Sequence, residues 1–375
     1  MSAGGALLDW LAVPQIPLVD VRAQYAPFAD ELREAFASVL NSGRFILGPQ
    51  VSAFEEEAVA YLGVPHAIGV ANGTDALVLA LDALGVGPGD EVICPSFTFY
   101  ATVEAILQRG AKPVFAEIDE QTLNLDLDDA AARVTKKTKA IVPVHLFGRP
   151  APVGPLVELG VPVVEDAAQA FGAQGVAQTG ALSTFSFFPT KNLFALGDAG
   201  LVVSQDAELA DRIRLLRFHG SRDKQHFELA GYNSRLDEVQ AAMLRVLLPH
   251  VDGWNRLRRE AAARYDALGL GEACDLPADE RGHVYHMYVV RSSERDRIAE
   301  ALADAEIASA AYYGTPLHLQ PALADLGHRE GDFPVTERAS RENLALPLWA
   351  GIGADVQERV VAAVKRAVSL EGAVR

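Results

Sequence analysis

A lysine set among aromatic residues opens the search for chemistry. Lys191 follows the run Phe185-Ser186-Phe187-Phe188-Pro189-Thr190 and stands just before Gly197-Asp198-Ala199-Gly200. Lysine is mostly an exposed residue. In an apolar setting its amine sheds its proton more readily, because desolvation disfavours the charged form. A neutral amine is a nucleophile that forms a Schiff base with an aldehyde. Taken alone, a lysine near a turn is a solvated surface charge, so its neighbours in the fold must decide.

Three further segments each offer one more function, and each also has a plain structural reading. Asn72-Gly73-Thr74-Asp75 opens a helix, where free backbone N–H groups and the helix dipole favour a phosphate; Asn and Thr are also ordinary N-caps. Pro95-Ser96-Phe97-Thr98-Phe99-Tyr100 follows an apolar run and could stack a ring on a flat cofactor, or simply pack a core. Glu165-Asp166-Ala167-Ala168-Gln169 ends another apolar run, where buried carboxylates are costly unless paired. Asp166 there could face a protonated ring nitrogen, or be a satisfied structural acid. Ser186 could add a second phosphate donor. Together the segments supply phosphate donors, a ring stacker, an acid for a pyridine nitrogen and an amine for an aldehyde. That is the set pyridoxal phosphate needs to act as an electron sink.

These residues need a scaffold that brings strand ends together. Residues 27–40 and 50–61 have apolar positions at three- and four-residue spacing and are predicted helices. Short apolar runs then alternate with helical stretches: His66–Val70, Glu91–Cys94, Lys112–Ile118, Lys139–Leu146 and Val161–Glu165, followed by Thr184–Phe188 and Gly200–Ser204. Strands alternating with helices predict an α/β fold with a mostly parallel sheet covered on both faces. In such sheets ligands sit at the carboxyl ends of the strands. Residues 206–218 and 235–265 read as helices, the second long. From about residue 270 the character changes. Residues 283–291 alternate like a half-buried strand, and 298–305 and 354–369 are helical. The expected division is a large domain over 1–265, with an extension at about 1–15, and a smaller α+β domain over 266–375.

Charge and composition exclude several classes. With 33 basic and 50 acidic residues the chain carries −17, which argues against nucleic-acid or anionic-membrane partners. No stretch reaches the roughly 18 apolar residues of a membrane span, and Met1 to Pro14 lacks the pattern of a signal peptide. Cys94 and Cys274 match no metal or redox spacing. No metal site is expected: His283 and His286 fall on opposite faces of the strand-like run. Gly85-Val86-Gly87-Pro88-Gly89 precedes a strand and is a loop, not a dinucleotide fingerprint. A cytoplasmic location is expected.

The chain resembles the DegT/DnrJ/EryC1/StrS aminotransferases, within the fold type I, aspartate-aminotransferase-like superfamily. The stretches that carry the resemblance are RFILGPQVSAFEEEAVAYLGV, GVANGTDALVLAL, GDEVICPSFTFYAT, PVVEDAAQAFGA, FSFFPTKNL, GYNSRLDEVQAA and TPLHLQPAL, spread over roughly residues 16–350. The resemblance implies a seven-stranded, mostly parallel sheet in the large domain. It implies that Lys191 is the catalytic residue, holding pyridoxal 5'-phosphate as a Schiff base and moving protons. It implies Asp166 on the ring nitrogen, Gln169 on the ring hydroxyl and Phe99 stacked on the ring. Gly73, Thr74, Asp75 (through its backbone) and Ser186 would hold the phosphate, with Asn233 reaching it from the other protomer of a homodimer with shared active sites. Relatives usually have His at the position of Phe171, and often GDGG at 197–200. Relatives with His in place of the lysine are dehydratases, and Lys191 argues against that branch.

The family's substrates are nucleotide-linked ketosugars, with L-glutamate the usual amine donor and pyridoxamine 5'-phosphate the intermediate cofactor form. A dTDP-linked keto-6-deoxyhexose of antibiotic-type aminosugar biosynthesis is the expected acceptor, with the 4-keto isomer ahead of the 3-keto. His219, Tyr312, Tyr313 and His318 are the candidates for the sugar end. Two other readings stand beside it: an aminotransferase for a cyclitol ketone, and a regulator that binds the cofactor without turnover.

Overall fold

The computed structural model describes residues 15–278 and 281–369. The expected extension at about 1–15 lies outside them save for its last residue. Seven short strands build the central layer: β1 (His66–Val70), β2 (Glu91–Pro95), β3 (Lys112–Ala116), β4 (Thr138–Ile141), β5 (Val164–Asp166), β6 (Leu182–Ser186) and β7 (Gly200–Ser204). They lie in the orders β1-β7-β6-β5 and β3-β2-β4. Two parallel bridges, Ile141 to Val163 and Val144 to Asp166, join the two sheets into one layer. Only β7 runs against its neighbours, β1 and β6; β2 is parallel to β3 and β4, and β5 to β6.

Why the strands read as almost continuous apolar runs is visible in the packing. Leu201 and Val203 of β7 enter the same core as Phe54, Phe185, Phe187 and Phe194. Val202, between them, enters the opposite core with Ile68, Leu77, Leu81 and Val92. Side chains alternate across a strand, and here both faces are covered. The helix Gly73–Ala83 is buried along its whole length from Ala76. The C-terminal region adds the antiparallel pair β8 (Tyr288–Arg291) and β9 (Asn343–Leu346). Helices Arg295–Asp304 and Ala354–Ser369 pack beside it around Tyr265, Tyr288, Ile298, Leu302, Val360 and Val364. Leu317, Leu323 and Phe333 of this region instead join the core of the large sheet.

Beyond shifts of up to three residues at the bounds of other elements, three differ in kind from the sequence-based expectation. Residues 235–265 are not one helix: Glu238–Leu247 and Val251–Ala267 are separated by a 3-10 turn at Leu248–His250. Pro249 lacks the N–H that a continuous helix needs there. The run 139–146 is a regular strand only to Ile141, because Pro143 cannot donate to a ladder, and it meets the sheet again through the Val144 bridge to Asp166. The run 283–291 is a strand only from Tyr288. Tyr285 has φ 43°, which a strand does not tolerate. The carbonyls of Tyr285 and His286 instead accept from Nη1 of the buried Arg258, at 3.2 and 3.3 Å. His283 and His286 therefore lie outside the strand and do not take its alternating faces, contrary to expectation.

Candidate active site

Glycine brings the ends of β6 and β7 against the helix that follows β1. A Cβ on Gly73 would lie 2.6 Å from Cβ of Ser186, and one on Gly200 would lie 2.3 Å from the carbonyl oxygen of Asn72. Neither contact is tolerable, so only glycine allows this approach. The result is a cradle. Asn72 Oδ1 accepts from the Asp75 N–H at 2.8 Å and caps the helix, while Gly73, Thr74 and Ser186 line the same cavity of about 650 Å³. Helix-terminal N–H groups, the dipole and two hydroxyls suit a phosphate.

Asp166 and Lys191 line that cavity too. At the end of β5, alternation sends Glu165 and Asp166 to opposite faces. Glu165 is fully engaged on the far side, by His145 Nε2 at 2.9 Å and the N–H groups of Ala177 and Gly180 at 3.0 and 2.8 Å. Asp166 faces the cavity, held by Thr102 Oγ1 at 2.8 Å and the Ala168 N–H at 3.2 Å. Burial pushes its carboxyl above the usual range, against the Thr102 and Ala168 hydrogen bonds and the Lys191 charge. A desolvated acid of this kind fits a protonated ring nitrogen, whose charge would favour the carboxylate. Lys191 is brought in by a tight turn after β6, with its N–H donating to Phe188 O at 2.8 Å. The next residue, Asn192, anchors the turn by donating to Asn255 Oδ1 at 2.7 Å and Val284 O at 2.9 Å. Desolvation lowers the Lys191 amine to about 8, with Asp166 opposing. The amine is thus primed to act as a nucleophile near neutral pH.

The remaining expected residues divide. Gln169 is buried on the cavity wall. Its Oε1 accepts from the Phe147 N–H at 2.6 Å and its Nε2 donates to Tyr313 Oη at 3.2 Å, which leaves one amide hydrogen for a ring oxygen. Phe99 lines the cavity, 58% exposed, with its ring 6.2 Å from that of Tyr313. Asp75, Tyr312 and Tyr313 also line it; His219, His318 and Asn233 do not. His219 is exposed, with its N–H on Tyr232 O. His318 is buried away from the cavity lining and paired with Glu337 Oε1 at 3.1 Å. Asn233 is exposed and lines a neighbouring depression that shares Asn72 and Asp198 with the main cavity. Sequence reasoning missed Glu104, Gln108, His286 and Met287 on the cavity wall. Glu104 and Gln108 had a signal: they share a face of the helix that begins after Phe99.

A phosphate cradle, an acid for a ring nitrogen and a desolvated amine in one cavity, on a sheet of this order, define a fold type I pyridoxal-phosphate enzyme. The chain belongs to the DegT/DnrJ/EryC1/StrS aminotransferase family, whose model matches residues 28–365. It is 44% identical to a UDP-N-acetyl-3-dehydro-α-D-glucosamine 3-aminotransferase of Acidithiobacillus ferrooxidans, over 94% of this chain and 97% of that one. It is 42% identical to a dTDP-3-amino-3,4,6-trideoxy-α-D-glucose transaminase of Streptomyces venezuelae, over 94% and 96%. The crystal structure of S. venezuelae DesV in complex with a ketimine intermediate superposes with a TM-score of 0.91 at 42% identity, covering 96% of this chain and 99% of that one. Other solved relatives are in pyridoxal-phosphate and pyridoxamine-phosphate forms. The chain is a pyridoxal-phosphate-dependent sugar aminotransferase.

Proposed function

We propose that the enzyme moves the amine of L-glutamate to a dTDP-linked keto-6-deoxyhexose in the making of an aminosugar for a secondary metabolite. The observation that carries the reading is that Lys191, Asp166 and the glycine-backed cradle share one cavity, in a chain whose relatives act on nucleotide-linked sugars. The expectation from sequence favoured a 4-keto sugar. Both relatives carry names that put the chemistry at C3, and this supports the 3-keto isomer as the first choice.

Bound pyridoxal phosphate supplies an electron sink for the carbon that gains or loses a proton. The chain's own residues do the rest. Gly73 and Thr74 offer backbone N–H groups, and Thr74 and Ser186 offer hydroxyls, to the phosphate; the Asp75 N–H would join them by exchanging its Asn72 Oδ1 partner for a phosphate oxygen. Asp166 holds a proton on the ring nitrogen. Gln169 would donate its free amide hydrogen to the ring hydroxyl oxygen, and Phe99 would cover the ring. Lys191 Nζ takes and returns the proton in each half of the cycle.

The proposal includes a homodimer with shared sites. Among the described residues, the cavity lining carries the carboxylates of Asp75, Glu104, Asp166 and Asp198 and no arginine. A nucleotide diphosphate therefore needs cations from elsewhere. Phe45, Ile46, Phe99, Phe188 and Leu196 are all 45% exposed or more, a set of apolar side chains suited to burial against a second copy. Asn233 and Arg235, beside the shared wall at Asn72 and Asp198, are placed to be offered to the partner. The test is incubation with glutamate and dTDP-3-keto-6-deoxyglucose, with NMR of the product. A 3-amino sugar is expected. Turnover of the 4-keto isomer alone, or of a cyclitol ketone alone, would refute the substrate assignment.

A further inference from the structure

His286 lines the Lys191 cavity at 1% exposure, and neither of its ring nitrogens has a hydrogen-bond partner. Buried polar side chains are seldom left in that condition. The His286 carbonyl, not its ring, is what Arg258 binds. Asn192 Nδ2 donates to Asn255 and Val284 and the Gln169 amide is held by Phe147 and Tyr313, and neither makes a hydrogen bond to the His286 ring. Burial holds the ring neutral, and the charges facing it, Lys191 from the turn after β6 and Arg258 from the helix Val251–Ala267, are both positive and act the same way. A neutral imidazole keeps one acceptor nitrogen and one N–H. Here the acceptor shares a cavity with the Lys191 amine.

We propose that His286 is a positioning residue for Lys191, accepting an Nζ–H hydrogen bond on its bare ring nitrogen whenever the amine is not bound to the cofactor aldehyde. The inference rests on the pyridoxal-phosphate reading above. During turnover the lysine must leave the aldehyde and still be aimed at the carbon whose proton it moves. A carboxylate in this place would hold the amine charged and unable to take a proton. Asp166, the nearest acid, is committed to the ring nitrogen. A neutral acceptor orients the amine without fixing its protonation state.

The test uses protein labelled with ¹⁵N in its nine histidines, with the His286 ring signals assigned by their loss in His286→Gln. Wild-type protein loaded with pyridoxal phosphate, where Lys191 is consumed, is compared with protein loaded with pyridoxamine phosphate, where it is free. The bare-nitrogen signal of His286 is expected to shift between the two forms, and the shift is expected to vanish in Lys191→Ala loaded with pyridoxamine phosphate. In stopped-flow, His286→Phe is expected to slow the glutamate half-reaction about 2- to 10-fold, the worth of one neutral hydrogen bond. Glutamate and cofactor affinity are expected to hold, with part of the rate recovered by His286→Gln. An unmoved signal overturns the proposal, as does a shift that persists in Lys191→Ala or appears only when nucleotide sugar is added. Wild-type protein that takes up no pyridoxal phosphate would overturn the cofactor reading and this inference with it. Protein that takes it up with an unmoved His286 signal overturns this inference alone.

Discussion

Gly73→Ala puts a single methyl group where the structure has none to spare. The added Cβ would lie 2.6 Å from Ser186 Cβ and 3.2 Å from Ser186 Cα. Gly73 does not need a left-handed φ, so backbone strain is not the issue; the collision is. Ser186 sits at the end of β6, paired with Gly200 of β7, and can yield only by moving its hydroxyl out of the cradle. Overpacking of this kind costs about 1–3 kcal/mol of stability. Loss of one hydrogen bond to a charged group costs about 1.5–3 kcal/mol more, this time in binding. The second figure corresponds to pyridoxal phosphate held about 10- to 150-fold more weakly. Titration of cofactor-free protein, followed by the absorbance of the bound cofactor, measures it. Ser186→Gly should lose the same hydrogen bond without the clash. The double variant Gly73→Ala/Ser186→Gly should then bind no worse than Ser186→Gly, because both changes act on one contact. Wild-type affinity in Gly73→Ala, or losses that add in the double variant, would refute the reasoning.

Other consequences follow from the same geometry. The Lys191 amine, lowered to about 8 by desolvation, is protonated and inert below that pH and free above it. The rate at which cofactor-free protein captures pyridoxal phosphate should therefore climb through pH about 8 and level off; a climb continuing toward the ordinary lysine value of 10.5 contradicts the desolvated site. Asp166→Asn removes the charge opposite the ring nitrogen and should lower that nitrogen's pKa by about 1–3 units, read from the ¹⁵N shift of labelled cofactor, with slower glutamate turnover. Phe54, fully buried and edge-on to Phe187 at 5.6 Å, should cost about 3–5 kcal/mol when cut to alanine; denaturant unfolding that shows under about 1 kcal/mol would mean the core beneath the Lys191 turn repacks.

Much of this was legible in the sequence, for local reasons. β1, β7 and the helix Ala354–Ser369 are short or strongly periodic elements with clear bounds, and pattern alone finds them. Lys191 and Asn72-Gly73-Thr74-Asp75 follow strands, and Asp166 and Ser186 end them, so the rule that ligands sit at strand ends gathers them from the sequence. What stayed hidden depends on contacts far apart in the chain. His286 reads as one step in an alternating strand, and only Arg258, 28 residues away, shows that the backbone there is diverted. His318 has the residue type of a substrate contact. Its partner Glu337 lies 19 residues on, and nothing local announces that pairing. Why Gly73 and Gly200 must be glycine is likewise a property of three elements meeting, not of either local sequence.

Lys191 is proposed as the amine that holds the cofactor. Borohydride reduction of the pyridoxal-phosphate-loaded protein, followed by peptide mass spectrometry, tests it most directly. A reduced pyridoxyl adduct is expected on Lys191 and none in Lys191→Ala. An adduct on another lysine, or wild-type labelling in Lys191→Ala, would contradict it.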